Sequence, residues 1–154
     1  MHKIETMPNQ NDLLQQVIKS LFSSAYYLRK QQEQILSGFG LNIPKLEVLQ
    51  ITNSKSPLGI SQKEIREKIT DKTIDLPRLI QSLQKHDLIS QDRNAFNRRV
   101  SDIVMTEKGT EVLDKVSTAL SGRGVLASTI SNEEAIQLMQ LLQKLTTSYH
   151  LSSK

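Results

Sequence analysis

Hydrophobic residues recur every three or four positions near the start of the chain, a spacing typical of an amphipathic helix. The pattern predicts one long helix from Asn11 to Ser37, ended by Gly38 and Gly40. A helix of that length spans roughly 40 Å, more than a small domain covers by itself. Its apolar positions follow a heptad with Gln32 as the exception: Leu14, Ile18, Leu21, Ala25, Leu28 and Ile35. The pattern favours self-association along this stripe, the alternative being that the stripe packs on its own domain.

A second helix is predicted from Pro44 to about Asn53, because a proline in the first turn of a helix removes no hydrogen bond. The segment SKSPLG at residues 54–59 has the composition of a turn. Leu58 to Ile60 is predicted as a short strand that pairs with a later hairpin.

Two short helices are predicted next. Ser61 and Glu64 match a capping box, in which each side chain binds the free backbone N–H of the other residue, so a helix begins at Gln62 and continues to Ile69. After a break, the second of the two helices begins at Thr73 or Asp75, since either residue can act as its N-cap.

The second of these helices has two unlike faces. One face is apolar and is predicted to pack: Leu76, Leu79, Ile80 and Leu83. The other carries Ile74, Arg78, Gln81, Ser82 and Lys85. That face is poor in acid and rich in hydrogen-bonding groups, as suits a helix that enters the major groove of DNA. An ordinary solvated helix face often has the same composition, so this alternative stays open.

A basic hairpin is predicted between Leu88 and Gly109. Leu88 and Ile89 enter it, and residues 101–105 return with the period of two that a strand shows. The guanidiniums of its tip, those of Arg93, Arg98 and Arg99, suit phosphates or a narrow minor groove. Alternatively, the arginines only protect a strand edge from aggregation. Helix, helix and charged hairpin in this order are typical of a winged helix-turn-helix.

The C-terminal third is predicted to be helical. One helix runs from Thr106 to about Thr118, and the glycines of Ser121–Gly124 are expected to loosen or break it. A second capping box, Ser131 with Glu134, starts the last helix, which is rich in leucine. If this helix and the long first helix meet, they form a platform that a second copy of the chain can share.

Length and composition limit the classes of protein that fit. With 154 residues the chain fits one domain, and with no cysteine it has neither a disulfide nor a reactive thiolate, which favours the cytoplasm. The N-terminus lacks the pattern of a signal peptide, and no run of about 18 apolar residues predicts a membrane span. His2, His86 and His150 are scattered, without metal-ligand spacing or a phosphate-binding loop, so no enzyme activity, metal or cofactor is expected.

Charge is concentrated where the hairpin and the helix pair lie. The net charge is +4, and residues 61–99 hold nine basic against six acidic side chains. Such clustering is the expected footprint of a surface that binds phosphates, although a solvated face of mixed charge remains an alternative.

Four motifs in order, GISQKEIREKI, RLIQSLQKHDLI, RNAFNRR and MTEKG, resemble the winged-helix core of the MarR (multiple antibiotic resistance regulator) transcription factors over residues 41–115. The resemblance implies a mainly α fold with a small β-sheet (α+β), whose winged helix-turn-helix is flanked by N- and C-terminal dimerisation helices. It also implies a homodimer that binds palindromic double-stranded DNA, with the helix at 73–85 in the major groove.

Residue by residue, Arg78 matches the arginine of the family's reading helix, and Arg98 with Arg99 matches the paired arginines of the wing. Thr106 and Gly109 match the motif that ends the wing. The chain departs from the pattern at three positions: Asn97 replaces an aspartate, Pro77 a serine or threonine, and Asp87 a glycine. These departures concern base preference and the rigidity of the wing, and they do not concern the fold.

The resulting prediction is a dimeric DNA-binding regulator, a repressor by hypothesis, which is cytoplasmic and associated with the bacterial nucleoid. It divides into a tail (1–10), helical dimerisation regions (11–40 and 111–154) and a winged-helix region (41–110). The predicted DNA contacts are Lys63, Lys72, Thr73, Asp75, Arg78, Gln81, Lys85, Arg93, Asn94, Asn97, Arg98 and Arg99. A rival hypothesis is a winged-helix module that binds a protein.

Members of this family are often switched by small ligands, frequently aromatic acids, which bind between the DNA-binding region and the dimerisation helices, and the resemblance implies that such a ligand could relieve repression. By that resemblance, Phe22, Tyr26 and Tyr27 are candidates to line a ligand pocket. Aromatic residues at helical spacing more often belong to a core, so packing is the alternative.

Overall fold

The computed structural model describes residues 9–93, 101–123 and 129–152. Its elements, in chain order, are α1 (Gln10–Ser37), α2 (Ile43–Asn53), β1 (Ile60–Ser61), α3 (Gln62–Lys68), α4 (Leu76–Lys85), β2 (Ile89–Arg93), β3 (Ser101–Met105), α5 (Glu107–Arg123) and α6 (Asn132–Ser152). The predicted α+β class is confirmed. Most of the predicted tail lies outside the described residues, although Gln10 already belongs to α1.

The chain forms two compact units, residues 1–116 and residues 117–154. In the first unit, β3 lies between β1 and β2 in an antiparallel sheet. Helix α2 packs against β3, α4 packs against β2, and α2, α3 and α4 pack against one another. The buried core of this unit includes Leu46, Leu49, Ile65, Ile80, Leu83 and Ile103. Since these side chains come from all three helices and the sheet, the core fixes α4 relative to the hairpin.

The predicted capping box begins α3. The backbone N–H of Glu64 donates to Oγ of Ser61 (3.3 Å), and the backbone N–H of Ser61 donates to Oε2 of Glu64 (3.0 Å). The Ser61 hydroxyl also donates to Oε2 of Glu64 (2.7 Å). The two bonds that Oε2 accepts, first from the hydroxyl and then from the backbone N–H of Ser61, favour the charged form and lower the pKa of the Glu64 carboxyl below its usual value.

The lowered pKa of Glu64 predicts that the capping box weakens in acid. The Glu64 carboxyl stabilises the fold at pH values above its pKa in the unfolded chain, and this stabilisation is lost as the pH falls through its pKa in the folded chain. We therefore expect Glu64→Gln to lower the urea midpoint at pH 7 and to differ less from the wild type at pH 3. Glu67→Gln, also on α3, controls for the removal of a carboxylate outside the capping box. If Glu64→Gln lowers the urea midpoint by the same amount at both pH values, the expectation is contradicted.

Helices α1 and α4 end with the same pair of backbone hydrogen bonds, those of a Schellman motif. In α1, the N–H of Leu41 donates to the carbonyl of Leu36 and that of Gly40 to Ser37. Gly40 has φ of 69°, so of the two glycines predicted to end α1 it is Gly40 that takes the left-handed conformation.

In α4 the corresponding position is Asp87, with φ of 59°. Its N–H donates to Gln84, and the N–H of Leu88 donates to Leu83. Asp87, where the MarR pattern has glycine, therefore adopts a left-handed backbone conformation that costs most L-residues about 1 kcal/mol or more.

The predicted end of α5 near Thr118 is wrong. The helix continues through Gly122 to Arg123, and the hydroxyl of Ser121 donates to the carbonyl of Ser117 (2.8 Å) within it. A single glycine near a helix end costs only about 1 kcal/mol relative to alanine, and the half-buried Leu120 offsets part of that cost.

In the second unit, Ser131 and Glu134 form the predicted second capping box at the start of α6. Among the described residues, no helix combines the length and the apolarity needed to span a membrane.

Candidate nucleic-acid interface

The two faces of α4 lie as the sequence predicts. Leu76, Ile80 and Leu83 are buried in the core, whereas Arg78, Gln81 and Lys85 are exposed. Leu79 and Ser82 are half-buried between the two faces, and Ile74, in the turn before the helix, is half-buried as well. The exposed face therefore carries two cationic groups and an amide.

The start of α4 is set by Asp75, whose Oδ1 accepts from the backbone N–H of Arg78 (3.1 Å). Thr73, the other candidate N-cap, instead donates its N–H (2.8 Å) and its hydroxyl (2.6 Å) to Oδ1 of Asp71. Those two bonds lower the pKa of the Asp71 carboxyl. Asp75 and Thr73, both predicted DNA contacts, thus serve first to shape the turn that precedes the helix.

A groove of about 620 Å³ lies between the start of α3, the exposed face of α4 and β2. We call it the amide groove, because its lining is rich in glutamine: Gln62, Asp75, Pro77, Arg78, Ile80, Gln81, Gln84 and Gln91. Asp75, Arg78 and Gln81 were predicted as DNA contacts, whereas the other three glutamines were not predicted. Gln84 follows Gln81 at helical spacing and was detectable from that spacing. No local pattern joins Gln62 and Gln91 to α4, because only the fold brings them together.

Two basic residues fix the turn between α3 and α4. Nη1 of Arg66 donates to the carbonyls of Lys72 (3.1 Å) and Ile74 (2.9 Å). In return, Nζ of Lys72 donates to the carbonyls of Arg66 (2.9 Å) and Glu67 (2.7 Å) at the end of α3. Lys72, a predicted phosphate contact, therefore uses its ammonium group within the chain, where it also complements the negative end of the α3 dipole.

The same turn is tied to α2. Oε1 of Glu47 accepts from the backbone N–H of Thr70 (2.7 Å) and from its hydroxyl (2.6 Å). Together with the bonds of Arg66 and Lys72, this contact sets the direction in which α4 leaves the turn.

The far end of α4 is held by the start of α5. The carbonyl of His86 accepts from Nζ of Lys108 (2.9 Å), and that of Asp87 accepts from the hydroxyl of Thr106 (2.7 Å). The carbonyl of Leu88 accepts from the backbone N–H of Thr106 (3.2 Å). We call this contact the α4–α5 junction, formed by residues 86–88, Thr106, Lys108 and Gly109.

Gly109 allows the start of α5 to pack closely against residues 86–88 in the α4–α5 junction. Its N–H donates to Oγ1 of Thr106 (2.9 Å). A Cβ atom at this position would lie 1.9 Å from the carbonyl oxygen of Leu88. Any side chain at residue 109 would therefore force the backbones apart, which explains the Thr-x-x-Gly motif.

The hairpin is antiparallel, with Ile89 opposite Met105 and Arg93 opposite Ser101 at its outer end. Four predicted contacts of its tip, Asn94, Asn97, Arg98 and Arg99, lie outside the described residues. Lys63 is exposed on α3.

The aromatic side chains of α1 are exposed: Phe22 by 73%, Tyr26 by 60% and Tyr27 by 69%. The alternative that they belong to the core of their own domain is therefore wrong. The two tyrosine rings meet edge to face, 5.4 Å apart, and Nζ of Lys30 lies 6.0 Å from the centre of the Tyr26 ring. Among the residues that the structure describes, no three histidine or carboxylate side chains gather where they would hold a metal ion.

The sequence matches no family model and no curated protein. The fold, however, matches that of a MarR family transcriptional regulator from Streptomyces coelicolor, with a TM-score of 0.74 at 16% identity, over 88% of this chain and 94% of that one. The chain has the MarR-type winged-helix fold. The resemblance inferred from its motifs is thus confirmed at the level of the fold.

Two further solved structures share this MarR-type fold. The transcriptional repressor CouR, bound to a 23-mer DNA duplex, gives a TM-score of 0.74 at 16% identity, over 92% of this chain and 99% of that one. An organohalide-sensing transcriptional regulator with bound 2,4-dichlorophenol gives 0.73 at 16% identity, over 96% and 89%.

Proposed function

We propose that the chain is a homodimeric transcription regulator of the MarR type that binds palindromic double-stranded DNA. The observation that carries the proposal is the exposed face of α4, where Arg78, Gln81 and Lys85 stand clear of the core beside the amide groove. The fold supports it, since one protein with this fold is solved on a DNA duplex. The proteins it resembles are regulators, which favours binding over catalysis.

The proposed contacts divide by chemistry. Arg78 and Gln81 contact base edges, because guanidinium and amide groups match the edges of guanine and adenine in the major groove. Lys63, Lys85 and the hairpin arginines Arg93, Arg98 and Arg99 contact phosphates or the minor groove. Asn94 and Asn97 are assigned to the same hairpin contact. Lys72, Thr73 and Asp75 act first by holding the turn before α4.

Uncovered apolar surface supports a dimer. On α1, Leu14, Val17 and Ile18 are exposed, so the alternative that the stripe packs on its own domain is wrong over this half of the helix. On α6, one methionine and four leucines are exposed by 40 to 62%: Leu138, Met139, Leu141, Leu142 and Leu145. We propose that a second copy covers the apolar face of each of these helices, because an exposed apolar patch of this kind marks an interaction site.

Ile18→Glu should convert the dimer to a monomer, because it places a charge in the proposed interface without disturbing the core. Sedimentation velocity at micromolar concentration measures the change. Gln16→Glu is the matched control, since two residues on a helix are about 200° apart and Gln16 lies with Asp12 and Lys19 on a polar surface. Dimers that persist in Ile18→Glu would remove α1 from the interface.

We further propose repression by operator binding and its relief by a small aromatic ligand, in a protein of the cytoplasm associated with the nucleoid. Phe22, Tyr26 and Tyr27 are the candidate ligand contacts, supported by their exposure and by the ammonium of Lys30 beside Tyr26. A cation near aromatic rings suits an aromatic ligand with an acidic group.

Selection of bound duplexes from a random DNA pool tests the proposed function. We expect a palindromic consensus and an affinity that falls steeply with salt, since each neutralised phosphate adds about 0.9 to the slope of log K against log[salt]. The double variant Arg98→Ala/Arg99→Ala should give a shallower slope, and an unchanged slope would remove the hairpin tip from the mechanism. No enrichment, with only weak and salt-insensitive binding, would favour the protein-interaction module.

A further inference from the structure

A hydrogen bond between two amides joins α4 to β2 in the amide groove. Nε2 of Gln84 donates to Oε1 of Gln91 over 3.2 Å. Gln84 is half-buried on α4, and Gln91 is exposed on β2. Both side chains line the groove together with Arg78 and Gln81. The pair therefore belongs to the surface that the proposed function assigns to base contact.

The pair keeps one carbonyl oxygen and one NH₂ group wholly available to a ligand. Each amide carries a carbonyl oxygen with two lone pairs and an NH₂ group with two donors. The bond between them takes up one donor of Gln84 and one lone pair of Gln91, and it leaves the oxygen of Gln84 and the NH₂ of Gln91 wholly available to an outside partner. Exchanging oxygen and nitrogen in both amides reverses the internal bond but again leaves one oxygen and one NH₂. The chemical character of the pair is thus independent of that assignment.

An available acceptor and an available donor on two neighbouring side chains match a particular base. In the major groove, adenine presents the acceptor N7 beside the donor N6, whereas guanine presents two acceptors, N7 and O6. Cytosine offers a donor and thymine an acceptor, so each satisfies only half of the pair.

We propose that Gln84 and Gln91 together read one adenine in each half-site, each side chain supplying one of the two hydrogen bonds. The inference rests on the proposed function and goes beyond it by naming a base and by giving β2 a share in sequence preference. Because each amide holds the other in place, the pair loses less side-chain freedom on binding than two separate glutamines would.

Pool selection with variants of the pair tests the inference. Gln84→Ala and Gln91→Ala should both lose the preference for adenine at the same symmetric position, by roughly 5- to 150-fold against guanine. The double variant should lose no more than either single one, because the two residues act as a unit. Gln50→Ala, an exposed glutamine of α2 outside the groove, should keep the wild-type consensus.

Gln91→Glu provides a second test by turning the outward donor into an acceptor. Two acceptors fit the N4 amino group of cytosine and oppose N7 of adenine, so the preferred base at that position should change from adenine to cytosine. A merely structural role for Gln91 would not move the base preference.

The inference is overturned if the alanine variants keep the adenine, alter different positions, or weaken binding to every sequence alike, as loss of a phosphate contact would. These results differ from failure of the proposed function. If the wild type selects no sequence, the proposed function fails. If it selects a consensus that depends on Arg78 but not on the pair, only the present inference fails.

Discussion

Gly109→Ala should destabilise the protein by about 3 kcal/mol or more, at or above the upper end of what overpacking usually costs. The new Cβ would lie 1.9 Å from the carbonyl oxygen of Leu88 and 2.9 Å from its carbonyl carbon. Both are backbone atoms, so no side chain can rotate away to make room. The two segments must separate, and the bonds of Thr106 to Asp87 and Leu88 are strained or lost. Urea unfolding followed by circular dichroism measures the loss.

Gly38→Ala is the matched control for that experiment. Gly38 has φ of −64° in the helical region, and its added Cβ would meet only the carbonyl oxygen of Ile35 at 3.4 Å. We expect stability to stay the same or to rise by a few tenths of a kcal/mol, since alanine restricts the unfolded chain. If both variants unfold at the wild-type midpoint, the close approach at Gly109 does not constrain the fold.

Arg78→Ala should weaken binding to the selected duplex by roughly 30-fold or more. One bidentate arginine–guanine contact contributes about 1–3 kcal/mol of discrimination, and the proposed dimer makes it twice. Binding to an unrelated duplex should fall much less, because there the side chain adds only charge. Titration of fluorescent duplexes at fixed salt measures both affinities.

Arg78→Lys separates charge from geometry at this position. Lysine keeps the positive charge but not the planar fork that pairs with two acceptors. It should retain binding to the unrelated duplex and the wild-type salt dependence, while losing preference at the same base as Arg78→Ala. A lysine variant with wild-type preference would mean that Arg78 contacts phosphate.

The order of the elements was predictable because their signals are local. A capping box at Ser61, a proline in the first turn of α2 and an aspartate before α4 each mark a helix start within a few residues. The two-residue period of β3 marks a strand in the same way. Each of these patterns involves only one short segment of the chain, so it can be recognised in the sequence before the fold is known.

The site was predictable only in part, because its lining comes from distant segments. Arg78 and Gln81 lie on the exposed face that helical periodicity defines. Gln91 enters the amide groove only because β2 pairs with β3 and packs against α4. Lys72 is the opposite case, a residue that the sequence predicted to be a DNA contact. Its position suggested a phosphate contact, but its ammonium group binds the end of α3.

The α4–α5 junction leaves α4 no hinge of its own at its C-terminal end. The carbonyls of residues 86–88 bind Thr106 and Lys108, and the next turns of α5 are anchored in the core by Leu113 and Val116. If this part of α5 moves, α4 is therefore expected to move with it as one rigid body. In the proposed dimer, a signal that moves α5 would change the distance between the two copies of α4 without changing the shape of either helix. That distance has to match one helical turn of DNA, about 34 Å.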